Sequence, residues 1–221
     1  MSQHDLDGPP PQWPPDCAAV ARTVCHRVKN DLQMLMNLLV LAEAGAGTPQ
    51  ELSEAVQKRL SALGAVYTLI ADEGRQPTAQ ALAREVARRV LARHGLAPAI
   101  NTEGDPLPLS LRLCSPLALW LGEVIDNAVC HGRAADGAAR LAFLAGRDDD
   151  ETWLAVGDAG PGLPPRFDIE AHAGLGLRLA MAVAQRDLGG AMTLHSERGG
   201  VTARLCVPER EFRRLSTEAW R

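Results

Sequence analysis

The sequence predicts an α+β protein in which an antiparallel helical hairpin precedes a domain of mixed helices and strands. Residues 16–44 hold good helix formers and neither Pro nor Gly, which predicts a long first helix. GAGTP at 45–49 ends that helix, and Thr48-Pro49 can cap and open a second one running to about Glu73. Residues 78–208 then alternate between helical and strand-like runs, which predicts the α+β part.

Composition limits the classes of function. The chain has 221 residues, a net charge of -4 and a pI near 5.9, which argues against a nucleic-acid partner. Neither an apolar run of bilayer-spanning length nor a secretory signal is visible, so no membrane insertion is expected. The five cysteines are scattered without CxxC spacing, as is typical of reduced thiols. We therefore expect a cytoplasmic protein.

The first part of the chain is predicted to hold a tail and a dimerising helical hairpin. Residues 1–15 are Pro-rich and are expected to form a disordered tail before the hairpin at 16–74. The loop between the two helices is short, so they should be antiparallel neighbours. Because two helices alone bury little, a second copy is expected to complete a four-helix bundle in a homodimer.

The second part begins after EGRQP at 73–77, the best linker candidate. We predict helices at about 78–94, 110–131 and 174–190, strands near 97–103, 139–146 and 152–158, and a closing hairpin of strands at 191–197 and 201–208. The charged end, 209–221, is expected to be a tail that is compatible with a short helix.

His26 lies in the stretch CHRVKNDLQ of the first helix. Projection at about 100° per residue gathers the apolar residues of this helix into one seam, and His26 falls almost opposite its centre, beside Lys29 and Asn30. The seam comprises Cys17, Val20, Ala21, Val24, Val28, Leu32, Leu35, Leu38, Leu39 and Ala42. His26 should therefore face solvent, either on a plain polar face or as a nucleophile. A metal site is disfavoured, because no Cys, His or carboxylate stands three or four residues further on.

Three motifs follow one another in the second part. Glu123 and Asn127 stand four residues apart on one helix face, where a carboxylate and an amide oxygen can hold hydrated magnesium. DAGPG at 158–162 ends a strand, and GLGL at 174–177 opens a helix, so backbone N–H groups can face a phosphate chain. Each motif alone is also compatible with turn glycines and ordinary surface residues.

Taken in order, the motifs resemble the GHKL (Bergerat-type) ATP-binding domain of histidine kinases. HRVKNDLQ resembles the phosphoacceptor box of the His-Arg-x-Lys-Asn subclass, which is HisKA_2-like and related to the HWE kinases. RLSALGAVYTLI at 59–70 is similar to the second hairpin helix of that subclass. The resemblance covers residues 16–208 and implies a Bergerat-type α/β sandwich with a mixed sheet at 78–208.

The resemblance also implies a role for each matching residue. ATP and Mg²⁺ are the implied cofactors. Asp158 would bind the adenine amino group, while Asn127 would ligate Mg²⁺ with help from Glu123. The remaining nucleotide-binding positions would be His131, Gly160, Gly162, Gly174, Leu175, Gly176 and Leu177.

His26 would be the phosphoacceptor of a cytoplasmic two-component histidine kinase, and Asn30 would position a water or a partner's aspartyl phosphate. The implied partner is a response-regulator receiver domain. Because only 15 residues precede the hairpin, the signal is expected to come from a separate sensor protein.

Four departures from the family pattern suggest weaker nucleotide binding. Cys130 replaces a usual Lys, Ala159 and Gly122 each replace a usual Asn, and Val201 replaces a usual Thr. They keep open an alternative, in which the chain is a histidine phosphotransferase that relays phosphoryl groups through His26 with a degenerate ATP-binding domain. A GHKL-type anti-sigma or serine kinase would leave the hairpin unexplained.

Overall fold

The computed structural model describes residues 25, 28–36, 40, 48–73, 76–197 and 199–216, and the predicted positions His26 and Cys17 lie outside them. Helix α1 covers 28–36. The other elements are α2 (Pro49–Glu73), α3 (Ala79–Arg93), β1 (Asn101–Glu103), α4 (Leu111–His131), β2 (Leu141–Arg147), β3 (Glu151–Asp158), α5 (Ile169–His172), α6 (Leu175–Ala182), β4 (Ala191–Glu197), β5 (Gly200–Pro208) and α7 (Glu209–Ser216).

The start of α2 is the one that the sequence predicts. The Thr48 hydroxyl accepts a hydrogen bond from the Glu51 N–H at 3.2 Å, and Pro49 occupies the first helical position. Such a cap satisfies one of the backbone N–H groups that a helix start leaves without a partner. Helix α2 then continues for 25 residues.

Helix α1 contacts the rest of the protein through a face that differs from the predicted seam. Leu35 packs against the core as expected, but the buried position beside it is Asp31, whose carboxylate accepts a hydrogen bond from the Tyr67 hydroxyl at 2.7 Å. Val28 and Leu32 of the predicted seam are 38% and 56% exposed. Part of the apolar surface of α1 is therefore exposed among the described residues.

The five strands form one mixed sheet in the order β1-β2-β3-β5-β4. Strand β1 is parallel to β2, and every other neighbouring pair is antiparallel. The predicted closing hairpin is present as β4–β5, and the predicted strands β2 and β3 also pair as a hairpin. The mixed sheet and the α+β class are thereby confirmed.

Helices cover one face of this sheet and share one core with it. Trp120 of α4, Phe143 of β2 and Leu154 of β3 are among its largest fully buried side chains. Ala65 and Val66 of α2 belong to the same core, so α2 folds against α3 and α4 and is not a free arm. Burial of this kind is the dominant stabilising term in a domain.

Within the described residues, α4 is the only helix with the length and apolar composition that a membrane span would require. Its most apolar window is 78% buried inside the protein, which fits the central core helix of the sandwich.

Three elements differ from their predicted form. Strand β1 begins only at Asn101, because the segment before it contains Pro98, which has no N–H for a strand ladder. Helix α6 ends at Ala182 and widens into a π-helical turn, Val183–Asp187, after which Leu188 is fully buried. The charged end forms α7 and packs on the sheet, since Phe212 and Leu215 are buried.

Glu209 fastens α7 to the sheet. Its carboxylate accepts hydrogen bonds from Arg147 at 2.9 Å, from Arg213 at 2.6 Å and from the Thr152 hydroxyl at 2.9 Å. The hydrogen bond from Arg147 is the main reason why the pKa of Glu209 falls from 4.5 to about 2. A carboxyl whose pKa is lower in the folded state stabilises that state above its unfolded pKa.

We predict that Glu209→Gln lowers the free energy of unfolding at pH 7 by about 1–3 kcal/mol, the usual cost of losing charge-assisted hydrogen bonds at a buried site. The difference from wild type should shrink as the pH falls from 4.5 towards about 2, where the carboxyl is protonated in both states. Urea unfolding at several pH values measures this difference in the free energy of unfolding. Glu211→Gln on the same helix should change little, because Glu211 pairs with the exposed Arg214. Equal effects of the two substitutions would contradict the assignment.

Candidate functional site

A cavity of about 730 Å³ lies between α4, the loop after β3, the start of α6 and the first half of α2. This volume lies within the range of small-molecule sites. From α4 and the sheet it is lined by Glu123, Asp126, Asn127, Cys130, His131, Gly132, Asp158, Leu194 and Val201. The loop and α6 contribute Pro161, Gly162, Leu163, Pro164, Phe167, His172, Gly174, Leu175, Gly176 and Leu177, and α2 contributes Glu51, Glu54, Ala55, Lys58 and Arg59.

Asp158 stands at the end of β3, where its carboxylate is held by backbone groups. Oδ1 accepts hydrogen bonds from the N–H of Gly160 at 2.9 Å and of Val201 at 3.1 Å. Within the described part of the chain, no hydrogen bond goes to Oδ2. That oxygen can therefore accept a donor from a ligand in the cavity.

Glycines enclose this carboxylate so closely that side chains are excluded. A Cβ on Gly132 would lie 2.3 Å from the Asp158 carboxyl carbon, and one on Gly200 would lie 1.9 Å from its backbone oxygen. Real Cβ atoms do not come within 3.0 Å of such atoms. The end of α4 and the turn into β5 can thus approach Asp158 only as glycines.

The four glycines predicted to bind nucleotide are not equivalent. Gly160 is sterically required, because a Cβ there would lie 2.5 Å from Gly132 Cα, and Gly162 has a φ of +86°, in the left-handed region. A Cβ on Gly176 would meet Glu123 Oε2 at 2.5 Å. Gly174, by contrast, has a φ of -70° and open space around it, so the protein alone does not demand a glycine there.

Glu123 and Asn127 both line the cavity, which confirms the expectation that they share one face of α4. Glu123 is largely buried, and burial raises its pKa, although the charges of Arg59 and Lys58 oppose the change. Its Oε1 lies 3.3 Å from Nε of Arg59, while Oε2 is turned towards Gly176. The carboxylate thus stands between α2 and the GLGL loop.

Sequence reasoning missed the part that α2 takes in this site. Lys58 contacts Asp126 at 2.5 Å, and Arg93 and His94 of the α3 end contact the same carboxylate at 2.8 and 2.9 Å. Burial raises the pKa of Asp126, but hydrogen bonds from His94 and Lys58 lower it overall. The only sequence signal was the pair of basic residues in α2 beside its small residues, and nothing in that segment indicates which surface they meet.

The structure brings most of the predicted site residues together. Nine of them line the cavity: Glu123, Asn127, His131, Asp158, Gly162, Gly174, Leu175, Gly176 and Leu177. Gly160 contributes its N–H to Asp158. Asn30 is exposed on α1 and does not line the cavity, and the placement of His26 lies outside the described residues.

The donor set fits a magnesium nucleotide. Oxygens of Glu123 and Asn127 are of the hard type that Mg²⁺ takes. The residues that open α6 line the cavity, and the first N–H groups of a helix have no partner within the helix, as a phosphate site requires. Oδ2 of Asp158 can accept a hydrogen bond from the amino group of a purine. Three kinds of contact needed for one ligand are thus present in one cavity.

We predict that Gly160→Ala lowers the free energy of unfolding by about 1–3 kcal/mol, because the added methyl group collides with the backbone of Gly132. Gly174→Ala should stay within about 0.5 kcal/mol of wild type, since it meets open space at an ordinary φ. Denaturant unfolding of the ligand-free proteins compares them. Equal stability of the two variants would show that the close approach at Gly160 is wrong.

Two family models match adjoining parts of the chain. Residues 24–106 match the model "HWE histidine kinase", and residues 115–211 match "Histidine kinase-, DNA gyrase B-, and HSP90-like ATPase". The first range holds the hairpin and α3, and the second holds almost all of α4, most of the sheet and the cavity residues from Glu123 onward.

Named relatives agree. The chain is 30% identical over 195 residues to the sensor histidine kinase PdtaS of Mycobacterium tuberculosis, which covers 81% of this chain and 37% of that protein. It is 27% identical over 185 residues to a blue-light-activated histidine kinase of Brucella anthropi, covering 78% of this chain and 35% of that one. The chain therefore spans little more than a third of the length of these relatives.

A solved structure supports the fold. The blue-light-activated histidine kinase of Erythrobacter litoralis superposes with a TM-score of 0.68 at 19% identity, covering 95% of this chain and 64% of that one. With both family models and these relatives in agreement, the chain belongs to the HWE-related histidine kinases, whose ATP-binding domain is of the GHKL type.

Proposed function

We propose that this chain is a cytoplasmic, ATP-dependent protein-histidine kinase that phosphorylates its own His26 and passes the phosphoryl group to an aspartate of a response-regulator receiver domain. The observation that carries the proposal is the cavity that gathers Glu123, Asn127, Asp158 and the GLGL loop around one space. Kinase chemistry requires mainly positioning and charge neutralisation, and those four features supply both.

Each group has a task in the proposed reaction. Oδ2 of Asp158 accepts a hydrogen bond from the adenine amino group. The backbone N–H groups from Gly174 to Leu177 bind the phosphate chain. Glu123 and Asn127 would hold Mg²⁺, which neutralises charge on the phosphates when bound. The remaining contacts, from His131 and the backbone at Gly160 and Gly162, close the nucleotide site.

The proposed phosphoryl transfer takes place in two steps. A neutral imidazole nitrogen of His26 attacks the γ-phosphorus, the bond from that phosphorus to the β–γ bridging oxygen breaks, and ADP leaves with the electron pair. The imidazole gives up its N–H proton to solvent as the P–N bond forms. In the second step, a receiver carboxylate takes the phosphoryl group and the P–N bond breaks.

We assign the phosphoacceptor and the ATP site to different parts of the chain. Residues 16–74 would serve as the dimerisation and phosphoacceptor hairpin, and residues 78–208 as the ATP-binding domain, flanked by 1–15 and 209–221. Asn30, exposed four residues after His26, would position a water or the receiver's aspartyl phosphate.

The proposed kinase acts as a homodimer. Val28, Leu32 and Met36 of α1 and the helical residue Val40 follow one another at intervals of four residues, and all are exposed in one chain. Leu60 of α2 is also exposed. An apolar stripe of this spacing is what a second hairpin would cover in a four-helix bundle.

The alternative is a phosphotransferase that receives phosphoryl groups from another protein. The observation that favours it is the side chain of Val201, which lines the cavity beside Asp158 where the family pattern has a hydroxyl. Cys130, Ala159 and Gly122 act in the same direction, towards weaker nucleotide binding. Calorimetric titration with MgATP separates the two functions, because a relay protein needs no ATP site.

We predict that incubation with γ-labelled ATP and Mg²⁺ gives acid-labile label on the wild-type chain and none on His26→Ala. Asp158→Asn should lower the rate about 100-fold or more, because an amide presents an N–H to the adenine in place of an acceptor and weakens binding as well. Initial rates of label incorporation measure both effects.

The matched control is His195→Ala, which removes a histidine that is exposed and does not line the cavity. It should label like wild type. If the wild type takes label only from another phosphorylated protein and calorimetry detects no ATP binding, the relay function replaces the kinase. Label that persists in His26→Ala would contradict both functions.

We predict that Leu32→Lys converts the dimer into a monomer, because a charge in the middle of the exposed stripe cannot be buried without a partner. Light scattering should give about twice the 23.6 kDa chain mass for wild type and one chain mass for the variant. Gln33→Lys adds the same charge one residue away and should stay dimeric. A monomeric wild type at micromolar concentration would refute the dimer.

A further inference from the structure

Arg59 is a buried guanidinium with unused hydrogen-bonding capacity. The residue is 5% exposed, and neither Nε nor Nη1 has a hydrogen-bond partner within the described residues. Among the residues that the structure describes, its ion-pair partner is Glu123, whose Oε1 lies 3.3 Å from Nε without the alignment of a hydrogen bond. Arginine stays protonated in proteins, so these donors cannot be removed by losing a proton.

Buried donors without acceptors destabilise a fold, which makes their location informative. Arg59 lines the same cavity as the GLGL loop. Glu123 stands between the two, with Oε1 towards Arg59 and Oε2 towards Gly176. The guanidinium is therefore separated by a single carboxylate from the loop that opens α6.

Small residues allow α2 to come this close. A Cβ on Gly122 would lie 3.1 Å from Cβ of Ala62, so the Asn usual at that position would push α2 away from α4. Arg59 precedes Ala62 by one helical turn, and Glu123 follows Gly122 directly. The contact between Lys58 and Asp126 at 2.5 Å holds α2 in this position. Gly122, a departure from the family pattern, thus lies where α2 and α4 approach closely beside Glu123.

From this geometry we propose that Arg59 is a phosphate-binding residue of the nucleotide site, a cation supplied by the hairpin helix. The inference rests on the proposed ATP site and adds a residue to it. The guanidinium can donate charge-assisted hydrogen bonds to phosphate oxygens, and those oxygens are the acceptors that Nε and Nη1 lack within the described residues. Arg59 would also restore the positive charge that the family carries as Lys at the position of Cys130.

The test compares how a substitution of Arg59 changes the Kd of a ligand with phosphates and the Kd of a ligand without them. We expect Arg59→Met to raise the Kd of MgATP at least about tenfold, which is about 1.4 kcal/mol. The Kd of adenosine, which has no phosphate, should stay within about twofold, since Asp158 and its glycines are untouched. Calorimetry measures MgATP, and ligand-detected NMR measures adenosine.

Two further variants complete the experiment. Arg59→Gln also removes the charge but keeps a polar side chain that can donate a hydrogen bond to Glu123. If the Met variant does not fold, the Gln variant shows whether Arg59 binds phosphate. Arg89→Met is the matched control, because Arg89 also contacts α2, at Thr68, but does not line the cavity. It should bind both ligands like wild type.

Each outcome is decisive. A Gln variant with the Kd of wild type for MgATP overturns the inference while leaving the ATP site intact. Equal losses for MgATP and adenosine also overturn it, because they show that Arg59 only supports the shape of the cavity. A wild type that binds adenosine but not MgATP removes the proposed kinase function itself, and the inference with it.

Discussion

The docking of α2 on α4 is the contact on which both the core and the cavity of this protein depend. Its apolar part, with Leu63 and Val66 buried, supplies the stabilisation, because apolar burial is favourable wherever it occurs. Its charged part has a different effect. Burying Arg59 and Glu123 costs desolvation free energy that a pair without hydrogen-bond geometry does not fully recover. A shift of α2 along α4 would leave both charges buried without a partner, so the pair selects one register.

The nucleotide end of the cavity is defined by sterics. Around Asp158, the end of α4, the loop after β3 and the turn into β5 converge so closely that a methyl group on Gly132 or Gly200 would overlap the aspartate. Such packing fixes the direction of the carboxylate, and the N–H groups of Gly160 and Val201 occupy one of its oxygens. The other oxygen is then oriented before any ligand arrives, which lowers the entropic cost of binding. The preorganised half of the site thus belongs to the sheet, and the charged half belongs to the helices.

The sequence predicts the elements and the cavity residues from α4 onward better than it predicts how the hairpin docks. Helix periodicity and glycine placement are local, so α2, α4 and the β4–β5 hairpin could be located from short stretches of sequence. The E-x-x-x-N spacing likewise placed Glu123 and Asn127 on one face. Arg59 could not be assigned in this way, because its partner Glu123 is 64 positions further along the chain and periodicity carries no information about such contacts. The same limit applies to the buried Asp31, which the seam projection left out and which accepts a hydrogen bond from the half-buried Tyr67, 36 positions further along the chain.

The described contact between α1 and α2 and the cavity use different halves of α2. Tyr67 lies eight residues beyond Arg59, about 12 Å along the axis of α2 at 1.5 Å per residue. Asp31 of α1 accepts a hydrogen bond from Tyr67, whereas the residues of α2 that line the cavity lie between Glu51 and Arg59. The hydrogen bond that joins the described part of α1 to α2 is thus separate from the ion pairs through which α2 closes the cavity.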